Sequence, residues 1–255
     1  MAMIGFMKQF VKQILPPILI QTLRKKQNIW SGDFSSWEEV EKLCGGYDAS
    51  NVLDRVDKAI EKVCKNPNLG ERDSVVFDEV QYSWPLLACL MNIAAKEDGQ
   101  LKVLDFGGSL GSSYFQNRKF FEGLKIEWSV VEQKNFAELG SKKYQNSQLR
   151  FYKSIEDVYQ DRNINVVLFS SVLQYIKNPY DILSEIIERA PNYIIFDRLS
   201  LIEGLKDRLT LQVVPESIYK ASYPCRFFSK EKFLNFMSKE YQKIESFDAQ
   251  LINEA

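Results

Sequence analysis

The 255-residue chain is predicted to fold as an open α/β sheet, doubly wound and mostly parallel, preceded by a helical extension. Three observations predict it. From Leu101 onward, short apolar runs alternate regularly with stretches of helical periodicity, the pattern of strands joined by crossover helices. Runs such as Val166-Val167-Leu168-Phe169 and Tyr193-Ile194-Ile195-Phe196 are apolar at nearly every position, as strands buried on both faces must be. A glycine-rich turn, Gly107-Gly108-Ser109-Leu110-Gly111, directly follows the first such run and precedes a helical stretch.

Residues 1–27 carry Lys8, Lys12, Arg24, Lys25 and Lys26 with no acid, so a +5 arm precedes a remainder of −6, within a total of 33 basic and 34 acidic residues. Apolar Ile4, Phe6, Met7, Phe10, Val11, Ile14 and Leu15 recur at helical spacing until Pro16-Pro17 interrupts the helix. The uncharged run from Gln13 to Leu23 has 11 residues, against the roughly 20 that a membrane-spanning helix needs. Lys8 and Lys12 break the apolar stretch a signal peptide requires. The arm therefore packs on its own domain or on a second subunit, or lies on an anionic membrane surface. A cytoplasmic location is expected, with contact to the inner membrane face under the last reading; the scattered cysteines Cys44, Cys64, Cys89 and Cys225 suit that reducing compartment.

Trp30 to Ser35 reads as a turn-rich piece, followed by a capping box in which Ser36 stands three residues before Glu39. Helices are predicted over Val52–Val63 and Trp84–Ala95, with an exposed loop from Asn66 to Asp73 between them. The sheet is then built from strands at Lys102–Phe106, Ile126–Glu132, Leu149–Tyr152, Val166–Ser170, Tyr193–Phe196 and Lys243–Phe247. Helices are expected at Ser112–Phe121, Asn135–Lys143, Ile155–Tyr159, Pro179–Arg189 and Lys230–Lys239.

The composition narrows the chemistry. With no histidine in the chain, Ser-His-Asp and Cys-His arrangements, imidazole bases and His-containing zinc sites are all excluded. The near-neutral balance of charge is not that of a dedicated nucleic-acid binder, and no D-x-D-type acid cluster recommends a metal. Gly107, Gly108 and Gly111 let the backbone approach a ligand closely. Asp105, two residues before the first of them, would face the pyrophosphate of a dinucleotide, and the G-x-G-x-x-G pattern is broken by Ser109 and Ser112. An acid there suits a ligand with a cationic amine and a sulfonium, S-adenosylmethionine. Glu132 ends the second strand 21 residues past Gly111, where a carboxylate can accept both ribose hydroxyls of an adenosine. Ser154 and Ile155, after the third strand, either border the adenine ring or begin a helix.

These segments, together with Ser170-Ser171-Val172-Leu173-Gln174-Tyr175 after the fourth strand, resemble the successive motifs of class I S-adenosylmethionine-dependent methyltransferases. More narrowly the chain resembles a bacterial methyltransferase family found with surface-polysaccharide and lipopolysaccharide biosynthesis genes. Ser36-Trp37-Glu38-Glu39, Gly46-Tyr47-Asp48, Val131-Glu132-Gln133, Asp197-Arg198, Pro215 and Tyr219 to Pro224 carry that likeness. The resemblance implies a Rossmann-like methyltransferase domain over 98–255, with an acceptor insertion at 199–228, behind an arm and helical extension over 1–97. It also implies a cofactor site of Asp105, Gly107, Gly108, Ser109, Gly111, Glu132, Gln133, Ser154, Ile155, Ser170 and Ser171. Two departures stand out. Ser109 fills a slot that is glycine in many such enzymes. The chain beyond Phe247 is also short for the usual seventh, antiparallel strand, so that strand is stunted or Leu209–Val214 supplies an extra extended piece.

Methyl transfer from a sulfonium is chiefly a matter of positioning. A sugar hydroxyl would still benefit from a base, and without histidine the candidates are Asp197, Tyr175 and Tyr223, unless Asp197 and Arg198 form a structural ion pair. Gln174, Arg198, Gln212, Tyr219, Ser222 and Arg226 are the expected contacts to a small-molecule or glycan acceptor. The rival readings are a nicotinamide-dependent oxidoreductase or epimerase, and a non-catalytic membrane-associated assembly protein.

Overall fold

The computed structural model describes residues 29–45, 49–72, 74–214 and 221–248. The basic arm over 1–27, Gly46-Tyr47-Asp48, Pro215 and Tyr219 lie outside the described residues. Strand β1 (Trp30–Phe34) leads into helix α1 (Trp37–Glu41), and α2 (Ala49–Lys65) is followed by a hairpin of β2 (Gly70–Arg72) and β3 (Val75–Phe77). Helix α3 (Trp84–Lys96) then enters the main sheet. There β4 (Gln100–Phe106), α4 (Ser112–Asn117), β5 (Lys125–Val131), α5 (Lys134–Lys143), β6 (Leu149–Tyr152), α6 (Ile155–Asp161), β7 (Val166–Ser170), α7 (Pro179–Glu188) and β8 (Tyr193–Asp197) alternate. The chain continues through β9 (Leu201–Ile202), β10 (Arg208–Val213), β11 (Ser222–Ser229) and α8 (Lys230–Met237).

The main sheet has five strands in the order β6-β5-β4-β7-β8, all parallel. This is the doubly wound, Rossmann-like arrangement. Strand alternation explains how both faces are covered. On one face Val103, Val166 and Leu168 join Ile60, Leu90, Tyr114 and Trp128 in one core; on the other Leu104, Val167 and Phe169 join Val158, Leu183, Ile186 and Phe233. At about 25 cal/mol per Å², each fully buried branched side chain of this kind contributes roughly 1.5–3 kcal/mol, which is why near-continuous apolar runs are required. Among the described residues no helix is long and apolar enough to cross a membrane.

Three expectations change, and one alternative holds. Trp30 to Phe34 is a strand rather than a turn, because it pairs antiparallel with Leu209 to Gln212, a partner some 180 positions away that no local pattern reveals. The loop expected from Asn66 to Asp73 contains β2, with Gly70 and Glu71 buried. Leu209–Val214 does supply extended chain: β10 lies at the centre of a separate sheet ordered β1-β10-β11-β9. Lys243–Phe247 forms no strand; Ile244 and Phe247 are 66% and 56% exposed, and their three-residue spacing gives a strand no consistent apolar face. The capping signal holds in part. Ser36 Oγ accepts from the Glu39 N–H at 3.2 Å, while the Glu39 carboxylate reaches back to the N–H and hydroxyl of Ser35.

Candidate active site

The order of the main sheet reverses between β4 and β7, so the segments leaving these strands part and leave a crevice at their C-terminal ends. A cavity of about 150 Å³ lies there. Its walls come from the turn after β4 (Gly107, Gly108, Ser109), from Ser170 and Ser171 after β7, and from Asp197 and Arg198 at the end of β8. The N-terminal extension closes it with Glu71, Arg72, Ser74 and Ser83. Ser112, Ser113 and Gln116 of α4, with Val56 of α2, complete the wall.

The glycines of the turn have distinct reasons. Gly107, at φ +69, has no room for a side chain, since a Cβ would stand 2.3 Å from Val172 Cγ2. Gly108 lies across Asp105, and a Cβ there would come within 2.5 Å of the carboxylate carbon. Gly111 starts α4 at φ +91, packed toward Leu149. Six non-glycine residues among those described are left-handed, and four of them, Ser74, Ser109, Ser171 and Arg198, line this one cavity. Left-handed non-glycine residues cost on the order of 1 kcal/mol or more each and gather where the surrounding structure has a use for the backbone direction.

Asp105 is fully buried on the central strand. Its Oδ2 accepts from Trp128 Nε1 at 3.0 Å, and Oδ1 has no hydrogen-bond partner. The carboxylate is thus turned toward Trp128 behind Gly108 and is not part of the cavity wall. Burial pushes its pKa up to about 7; the Trp128 bond works against the shift, and the negative charges of Glu132 and Asp197 add to it. Glu132 immediately follows β5, and its two oxygens accept the N–H groups of Ser109 at 3.2 Å and Gln133 at 2.7 Å. Burial raises the Glu132 pKa and those two donors lower it in part. Gln133 occupies the N-cap position of α5.

Glu71 was not anticipated from sequence. Its carboxylate accepts the Ser112 hydroxyl at 2.6 Å and the Ser74 N–H at 2.8 Å, fastening the β2–β3 hairpin to the start of α4. The available signal was weak: Val75-Val76-Phe77 is a β-rich run beyond Leu69 to Arg72, and only the turn between them makes a hairpin.

At the far wall Asp197 is in register with Ser170. Its Oδ2 accepts from Ser170 Oγ at 2.6 Å and from Arg198 Nε at 3.2 Å; Ser83 Oγ donates to Oδ1 at 3.4 Å. The Arg198 guanidinium also donates to Ser170 Oγ at 3.1 Å. Asp197 and Arg198 are therefore at once an ion pair and a wall of the cavity. Gln174 is buried beside them and donates to Ser171 Oγ at 3.1 Å.

The remaining sequence candidates are grouped elsewhere. Tyr175 and Trp30 both donate to Gln212 Oε1 at 3.1 Å, and the Tyr223 ring stands edge-on to Tyr175 at 5.2 Å. Ser222 Oγ accepts the Gly45 N–H at 2.7 Å. Arg226 donates to the Lys177 carbonyl at 3.0 Å and lies over Trp37. None of these belongs to the cavity wall. Ser154 caps α6, accepting the Asp157 N–H at 3.1 Å, and Ile155 is buried in the core.

No protein-family model matches the chain, and no curated protein matches it. Solved structures similar to it include the N-terminal domain of EvdMO1 in the presence of SAH and D-fucose, at 13% identity over 76% of this chain and 87% of that one, with a TM-score of 0.43. The DhpI-SAM-HEP complex is similar at 11% identity over 82% and 90%, with a TM-score of 0.43. An S-adenosylmethionine-dependent methyltransferase from Clostridium acetobutylicum ATCC 824 is similar at 11% over 62% and 80%, with a TM-score of 0.40.

Proposed function

We propose that this chain is an S-adenosylmethionine-dependent methyltransferase that O-methylates a sugar or glycan-linked acceptor in cell-surface polysaccharide biosynthesis. The observation that carries the reading is the sign of what surrounds the glycine turn. A dinucleotide fold presents unoccupied N–H groups and a bare helix start to its pyrophosphate. Here Glu71, from outside the main sheet, takes the hydroxyl of Ser112 at the first position of α4. A carboxylate standing where phosphate would lie repels it and suits a ligand carrying an amine and a sulfonium. The residues thus fit the cofactor. Glu132 would hold the ribose hydroxyls, and the backbone of Gly107, Gly108 and Ser109, with Ser170 and Ser171, would border the rest.

When bound, S-adenosylmethionine supplies an electrophilic methyl group. The chain's own work is orientation and proton transfer. Asp197 opens onto the cavity with Ser170 and Arg198 fixing its carboxylate, and there it takes the acceptor hydroxyl proton at a carboxylate oxygen. Gln174, bonded to Ser171, links the cavity to the group of Tyr175, Gln212 and Tyr223, where rings and an amide offer stacking and hydrogen bonds to a sugar. The arm over 1–27 would hold the enzyme against an anionic cytoplasmic membrane face. The test is incubation with methyl-labelled S-adenosylmethionine and a cell-surface glycan extract. Label recovered as a base-stable methyl ether on a sugar is expected; a chain that binds the donor and never transfers the label contradicts the enzymatic reading.

A further inference from the structure

Glu71 is buried, yet it forms part of the cavity wall, and it reaches that wall from the N-terminal extension rather than from the main sheet. The Ser112 hydroxyl and the Ser74 N–H hold its carboxylate in one orientation. A carboxylate has about four acceptor sites, so bonds to neighbours and to a ligand are compatible on one residue. Asp105, the other acid of the glycine turn, points its carboxylate at Trp128 behind Gly108 and stays out of the wall. The charged groups that do face the cavity are of both signs, Glu71 and Asp197 with Arg72 and Arg198. Such a site matches a zwitterion.

Resting on the S-adenosylmethionine reading, we infer that Glu71 recognises the α-ammonium group at the amino-acid end of that ligand, with Arg72 on the same wall for its α-carboxylate. Amine recognition then belongs to the hairpin of the extension and not to the acid of the glycine turn. The hairpin is part of the cofactor site, and fastening it to α4 through Ser112 sets the position of the recognising carboxylate.

The experiment compares S-adenosylhomocysteine with its desamino analogue, in which hydrogen replaces the amine, by titration calorimetry on the full chain. A charge-assisted bond in a mostly buried site corresponds to roughly a 10- to 100-fold preference for the amine-bearing ligand. Glu71→Gln is expected to reduce that preference to within about twofold, by weakening S-adenosylhomocysteine while the anionic analogue binds at least as tightly as to wild type. Retained affinity for the analogue also reports that the variant is folded, whereas loss of a merely structural contact would weaken both ligands alike and overturn the inference. A wild-type chain that binds both ligands equally overturns the inference without any variant, and so does a Glu71→Gln chain that keeps the full preference. Failure of the wild type to bind S-adenosylhomocysteine at all would instead overturn the cofactor reading beneath it.

Discussion

Replacing Asp105 with Asn removes the charge of a fully buried carboxylate while leaving an oxygen to accept from Trp128 Nε1. The group's ordinary pKa of 3.8 is pushed up to about 7 in the folded chain, chiefly by burial. The folded state therefore holds a proton that the unfolded state releases. Stability from this group is fully present below about pH 4 and is lost as pH rises through about 7. A shift of roughly three units corresponds to about 4 kcal/mol, taken as an upper bound. Glu156 and Asp161 have lowered pKa values and produce the opposite slope, but they do so in both chains. Subtraction isolates Asp105. Urea unfolding of wild type and Asp105→Asn from about pH 4 to 8 should show the variant gaining on the wild type by up to about 4 kcal/mol, most of it by pH 7. A difference that stays constant across this range would refute the argument that the carboxylate is buried against Trp128 and kept from the cavity.

Gly108→Ala should destabilise the chain by about 1–3 kcal/mol in the same urea assay, since the added methyl group would come within 2.5 Å of the Asp105 carboxylate, which is buried and bonded to Trp128. A neutral substitution would mean that the turn yields easily. Asp197→Asn should lower kcat for methyl transfer by roughly 10²- to 10⁴-fold, the range for a lost general base, with the Kd for S-adenosylhomocysteine within about threefold of wild type. Unchanged kcat would show that the acceptor proton leaves to water.

The parts of the fold that were legible are those whose stability is written locally. The β7 run Val166 to Ser170 is apolar because both faces are covered, so its hydrophobicity alone identifies it. The same holds for the glycine turn and for Glu132, fixed by their position between a strand and a helix. What was not legible depends on partners far along the chain. Strand β1 exists only through its pairing with β10. Glu71 lines the cavity with its carboxylate bonded to Ser112 and Ser74, and neither hydrogen bond leaves a mark on residues 66–73. Asp105 shows the opposite limit. Its position before the glycines was readable, yet the direction of its carboxylate was set by Trp128 in register two residues away on the neighbouring strand. Nor do the left-handed backbones of Ser109, Ser171 and Arg198 follow from residue type, since serine and arginine seldom adopt them.

Titration calorimetry of the full chain with S-adenosylhomocysteine and, separately, with NADH and NADPH tests the cofactor assignment most directly. The Glu71 carboxylate at the start of α4 predicts saturable binding of S-adenosylhomocysteine, with a Kd on the order of micromolar, and no measurable heat from either dinucleotide. Saturable binding of NADH or NADPH with none of S-adenosylhomocysteine would contradict it.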